Sequence, residues 1–160
     1  MEERIDRRYI FAARTLTEFD LRPFCSDYLD GGYRRDHIAL SRVELSPGRA
    51  VAECIMHEYY TPPDGTYHLT VPIVFLAVAN LAIIYAHVEN GLDCKTEEVF
   101  LRSISLICKR TVEKTSGIGI ELKLQHRRSV PDGLYYKGSI SVEAGAFEGS
   151  ASFLFPLRKA

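Results

Sequence analysis

The chain has 160 residues, enough for one domain with a real core and short for two. Apolar residues make up 46% and charged residues 26%, the balance of a globular chain rather than a disordered or fibrous one. Twenty basic residues against twenty-one acidic ones leave a formal charge of −1, which argues against a nucleic-acid binder and against a polybasic membrane-surface segment.

The first sixteen residues, MEERIDRRYIFAARTL, are charged rather than apolar and so unlike a secretory leader. A short helix is expected within 4–20, inside an N-terminal segment 1–30, though its apolar period is indistinct. Residues 37–45 and 49–60 read as two strands flanking Ser46-Pro47-Gly48, a hairpin signal. Thr70 is placed to cap a helix, and Pro72 suits its first turn, where a missing N–H costs nothing. The helix then runs through VPIVFLAVANLAIIYAHV (71–88) to a stop at Asn90-Gly91.

Eighteen residues without a charge, save a possible one on His87, meet the lower length limit for a membrane span. Asn80 at the centre and flanks without nearby Lys or Arg count against that reading. An all-round apolar helix is also what a sheet needs when it wraps the helix from several sides.

Downstream, 99–108 (VFLRSISLIC) alternates weakly, as expected of a strand buried on both faces. In 118–128 the residues Ile118, Ile120, Leu122 and Leu124 take one face, while Glu121, Lys123 and Gln125 take the other. Val130-Pro131-Asp132-Gly133 turns the chain into Leu134, Tyr136, Gly138, Ile140 and Val142, and Ala144-Gly145 turns it again into Phe147, Gly149, Ala151, Phe153 and Phe155. Short turns between amphipathic strands make an antiparallel meander. No repeat, low-complexity stretch or long linker divides the chain, so 1–160 reads as one domain.

The order is short helix, two strands, one long apolar helix, four strands. This predicts an α+β hotdog fold, a curved antiparallel sheet of about six strands wrapped around one helix. An open sheet edge invites association, so a homodimer or higher homo-oligomer is expected. Cys25, Cys54, Cys94 and Cys108 form no CxxC pair, which points to free thiols in a reducing cytosol rather than to a disulfide frame or zinc module. Cys54 and Cys108 fall in strand patterns and read as small core fillers.

Two regions can carry chemistry. Asn80 is a lone amide on an apolar helix; unsatisfied, it would cost about 1–3 kcal/mol. It either bonds a neighbouring backbone group, makes a dimer contact, or faces a cleft and holds a carbonyl or a water. The loop 59–69, YYTPPDGTYHL, carries Tyr60, Asp64, Gly65, Tyr67 and His68 ahead of the helix. Asp64 and Gly65 have turn chemistry, the tyrosines suit amphipathic packing, and His68 can cap, titrate or stay solvated. A helix N-terminus also favours an oxyanion or thioester carbonyl. His57, His87 and His126 have no partners at metal-ligand spacing, and no GxSxG, GxxxxGK or GxGxxG stands in the chain. Arg127-Arg128, at a strand end, could attract a phosphate or simply be solvated.

Residues 68–86, HLTVPIVFLAVANLAIIYA, resemble the helix entrance of FcoT-type fatty acyl-CoA thioesterases, a single-hotdog family. The resemblance implies a site made of His68, Asn80 and Tyr85, with Gly65 in the preceding loop and Tyr60 as the tyrosine ending the strand. A further family tyrosine, after a proline, is matched by Phe24 in Arg22-Pro23-Phe24-Cys25, so a role resting on that hydroxyl is lost. Other hotdog thioesterases carry Asp or Glu on the central helix, and the fold's dehydratases pair a loop His with a helix carboxylate. Residues 70–88 contain neither acid.

The leading reading is a cytosolic acyl-thioester hydrolase needing no cofactor or metal, acting on acyl-CoA or an acyl carrier protein. Asn80, Tyr60 and His68 would be catalytic, with Tyr67, Gly65, Phe24 and Tyr85 binding substrate. The alternatives are a dehydratase or conjugate-addition enzyme on enoyl or hydroxyacyl thioesters, and a non-catalytic acyl-thioester binder.

Overall fold

A computed structural model describes residues 15, 17–24, 26 and 31–157. Of the helix expected within 4–20 it describes one turn, α1 (Glu18–Leu21); the remainder lies outside the described residues. The following elements are β1 (His37–Ser46), β2 (Arg49–Glu58), α2 (Val71–Glu89), β3 (Phe100–Cys108), β4 (Ile118–Val130), β5 (Gly133–Val142) and β6 (Phe147–Pro156). The six strands form one sheet in the order β1-β2-β4-β5-β6-β3, every neighbour antiparallel, and α2 is its core helix: the hotdog fold.

Local chemistry accounts for these elements. Gly48 follows Pro47 at φ +74°, the left-handed geometry a tight turn demands there, so β1 and β2 pair from Ser46↔Arg49 outward. The alternation read in β5 and the first half of β4 is the burial pattern observed, with Ile118, Ile120, Leu122, Leu134, Tyr136, Ile140 and Val142 all buried, whereas in β6 the residues from Ala151 to Phe155 are buried without a break. Gly149 is held by close approach, since a Cβ there would sit 1.7 Å from the Ser105 carbonyl oxygen across β3.

The helix buries Ile73, Val74, Ala77, Val78, Leu81, Ala82, Tyr85 and Ala86, recurring every three or four residues. It exits through a Schellman motif: Leu92 N–H donates to His87 O at 3.0 Å and Gly91 N–H to Val88 O at 3.0 Å, with Gly91 at φ +73°.

Four expectations need correcting. α2 is not buried all round: half of its residues are buried, and Pro72, Leu76, Asn80 and Val88 form an exposed stripe at intervals of four and eight. By length and composition α2 could also cross a membrane, but its buried half is the core of this sheet. β3 is not buried on both faces; it is an edge strand with Phe100 and Ile107 exposed, so its weak alternation reflects a one-sided, partly open position. Cys54 is the expected core filler, its thiol pushed up to about 11 by burial, but Cys108 near the end of that edge is exposed. Thr70 occupies the N-cap position, yet its hydroxyl makes no capping bond.

Candidate functional site

The strand pairing builds a polar cluster at the entrance of α2. His37 lies opposite Glu58 in the β1–β2 ladder, which brings Asp36 against the chain leaving β2. There the Tyr60 N–H donates to Asp36 Oδ1 at 2.7 Å. The loop returns over this point. Pro62-Pro63-Asp64-Gly65 makes the expected turn, Gly65 N–H donating to Pro62 O at 2.9 Å with Gly65 at φ +80° and Asp64 Oδ1 accepting from Thr66 N–H at 3.0 Å. Tyr67 then packs inward against Tyr59, ring centroids 4.9 Å apart, and Leu69 N–H anchors the loop on Val112 O at 2.8 Å.

Two hydroxyls in this cluster are buried without a hydrogen-bond partner among the described residues: those of Tyr67, a residue only 6% exposed, and Thr70. An unpaired buried hydroxyl costs about 1–3 kcal/mol, so two within four residues mark a place built for something other than stability. Asp36 is half-buried, and loss of water pushes its carboxyl above the ordinary range; the Tyr60 N–H and the nearby His68 pull the other way. Burial, followed by the charge of Asp36 and the neighbouring Tyr59, lifts the Tyr67 phenol well above its usual value. His68 is half-buried and close enough to Asp36 for their charges to act on one another. The helix end itself offers few donors, because Pro72 has none and Ile73 and Val74 N–H both turn back to Thr70 O.

The cluster thus gathers Tyr60, Tyr67, His68 and Gly65, all singled out in the sequence, and adds Asp36, which was not. An Asp just ahead of a strand resembles an ordinary turn residue; only the β1–β2 pairing reveals its company. Asn80 is not part of it. It lies ten residues beyond Thr70, about 15 Å along the helix, exposed on the apolar stripe and without a hydrogen bond among the described residues. The Phe24 side chain lies outside the described residues, although its backbone closes a 3₁₀ turn at Arg22–Phe24.

Tyr85 serves the opposite end of α2. Its hydroxyl accepts from Gly48 N–H at 2.9 Å and donates to Glu89 Oε1 at 2.9 Å. Glu89 Oε2 accepts from Tyr136 Oη at 2.5 Å and from Arg127 Nε at 3.1 Å, while Asn90 Nδ2 donates to Tyr136 Oη at 3.1 Å. Arg127 is therefore committed to Glu89, and Arg128 lies over the Tyr135 ring at 5.0 Å. Beside this network an open cavity of about 360 Å³ is lined by Leu45, Ser46, Pro47, Tyr85, Val88 and Glu89. No group of three or more potential metal ligands occurs among the described residues.

No protein-family model matches the chain, and no curated protein matches it by sequence. Solved structures do match by shape. The candidate thioesterase yhdA from Lactococcus lactis superposes with a TM-score of 0.55 at 12% identity, over 82% of this chain and all (100%) of that one. The conserved protein PA5202 from Pseudomonas aeruginosa gives 0.50 at 11% identity, over 83% and 96%. The acetyl CoA-bound smu.793 from Streptococcus mutans UA159 gives 0.49 at 7% identity, over 77% and 92%. At these identities the likeness is one of fold.

Proposed function

We propose that this chain is an acyl-thioester hydrolase, releasing a fatty or related acid from acyl-CoA or an acyl carrier protein in the cytosol. The observation that carries the reading is the α2 entrance, where the loop carrying Tyr60, Tyr67 and His68 buries the Tyr67 and Thr70 hydroxyls with no hydrogen-bond partner among the described residues and Asp36 accepts from the Tyr60 N–H. Tyr60 donates to the thioester carbonyl as negative charge builds on its oxygen, a contribution worth about 10²–10³ in rate. His68 handles a proton, and Tyr67 and Gly65 shape the subsite. Asn80 stands exposed about 15 Å along the helix from Thr70, so in this reading its amide serves the partner's entrance rather than its own. A homodimer closed over the exposed stripe of α2 and the β3 edge supplies the partner's Asn80 to hold the carbonyl or the water. The acyl chain lies along the apolar helix between subunits.

The electrostatic nearness of Asp36 and His68 favours one second reading, a dehydratase or conjugate-addition enzyme, since that chemistry needs two acid/base groups. Incubation with acyl-, hydroxyacyl- and enoyl-thioesters separates the two: the hydrolase releases thiol, the other converts the acyl group with the thioester intact. Asn80→Ala lowers thiol release at least about tenfold with the fold intact; unchanged turnover removes Asn80 from the mechanism.

A further inference from the structure

No carboxylate stands between Thr70 and Val88, and Glu89 at the end of α2 is held by Tyr85, Tyr136 and Arg127, so the helix offers the hydrolase no uncommitted base. The structure supplies one from a different element. Asp36, at the entrance of β1, has one oxygen fixed by the Tyr60 N–H at 2.7 Å, so the backbone that carries the proposed carbonyl donor also orients the carboxylate. It stays half-exposed and reachable by solvent, within electrostatic range of both His68 and Tyr67. Near it the Tyr67 hydroxyl, on a side chain more than nine-tenths buried, has no partner among the described residues, as expected of a donor kept for a water or a substrate oxygen.

We propose that Asp36 is the catalytic base of the thioesterase, an inference that rests on the hydrolase reading. Its free carboxylate oxygen takes a proton from water while the water oxygen bonds to the thioester carbonyl carbon. The tetrahedral intermediate then expels the sulfur with the C–S electron pair, and the thiolate recovers that proton from Asp36. Acid and thiol are the products, and water is the only co-reactant. Partial burial, which lifts the carboxyl above its ordinary value, brings it nearer the range in which a base works at neutral pH.

The test is Asp36→Asn, which keeps the shape and the acceptor for Tyr60 N–H but removes the charge. Thiol release is followed from acetyl- to palmitoyl-CoA for wild type, Asp36→Asn and Asp36→Glu. Expected are a kcat at least about 100-fold lower in Asp36→Asn with KM changed less than about twofold, and partial recovery in Asp36→Glu. Thermal unfolding of Asp36→Asn should match wild type or exceed it. An Asp36→Asn protein that hydrolyses at the wild-type rate overturns the role of Asp36 and leaves the hydrolase standing. The role is equally overturned if the loss falls on KM or on stability. A wild type that releases no thiol from any thioester brings down both readings.

Discussion

The two ends of α2 are built from similar residues and treated in opposite ways. At the exit, His87 is 3% exposed and fully used: Nδ1–H donates to Ile83 O at 2.7 Å, and Nε2 accepts from Thr96 and Glu97 N–H at 3.1 and 3.4 Å. Tyr85, Tyr136, Glu89, Asn90 and Arg127 close a second network beside it. At the entrance, Tyr67 and Thr70 bury hydroxyls with no partner among the described residues, and Asp36 loses water it would rather keep. Satisfied burial holds a fold together; unsatisfied burial has to be supported by the rest of the fold, and an active centre is where such a cost is tolerated.

The largest effect that tests this contrast is expected at the exit. His87→Ala removes the acceptor for Thr96 N–H, frees the Ile83 carbonyl and leaves a void against Phe155, whose ring lies 5.0 Å away edge-on. A loss of about 3 kcal/mol is expected from a urea unfolding curve. A change below about 1 kcal/mol would mean that the exit network is decoration and the contrast is drawn wrongly.

A matched pair of tyrosines sharpens the comparison. Tyr85→Phe deprives Gly48 N–H of its acceptor and Glu89 of a donor, and should cost about 1 kcal/mol while leaving thiol release untouched. Tyr67→Phe deletes a hydroxyl that bonds nothing among the described residues, and should be neutral or stabilising by up to about 1 kcal/mol while lowering turnover. Equal losses of stability in both would show that the Tyr67 hydroxyl finds a structural partner in solution.

How much of this was legible depends on whether a signal is local. Alternation along β4 to β6 and the Pro47-Gly48 turn are local, and the strands formed where the pattern placed them. The apolar run of α2 disclosed a helix, but uniform hydrophobicity cannot say which face a sheet covers, so the outward aim of Asn80 was hidden. In β3 an edge strand and a doubly buried one give the same blurred period. The loop residues Tyr60, Tyr67 and His68 are near one another in sequence and were found together. Asp36 is 24 residues from Tyr60, and only the ladder that sets His37 against Glu58 makes them neighbours.

The smallest expected effect lies in the pH dependence of the entrance. The Asp36 carboxyl titrates above its ordinary value of 3.8 when folded, chiefly through lost hydration. Between that value and the raised native one, the folded chain holds a proton that the unfolded chain has released. Wild type therefore loses stability as pH rises through this window and gains it as pH falls back. Asp36→Asn carries no such proton, and the other carboxylates contribute equally to both proteins. Among the described residues, His68 and Tyr67 of the loop interact electrostatically with Asp36, Arg35 and His37 adjoin it in the chain, and the His37 ring lies 5.5 Å from that of His57. The unfolding temperature of Asp36→Asn minus that of wild type should grow as pH rises from about 4 and then level off once the native carboxyl is ionised. A difference that shrinks instead would show His68 holding Asp36 as a stabilising ion pair, and the entrance would then be as satisfied as the exit.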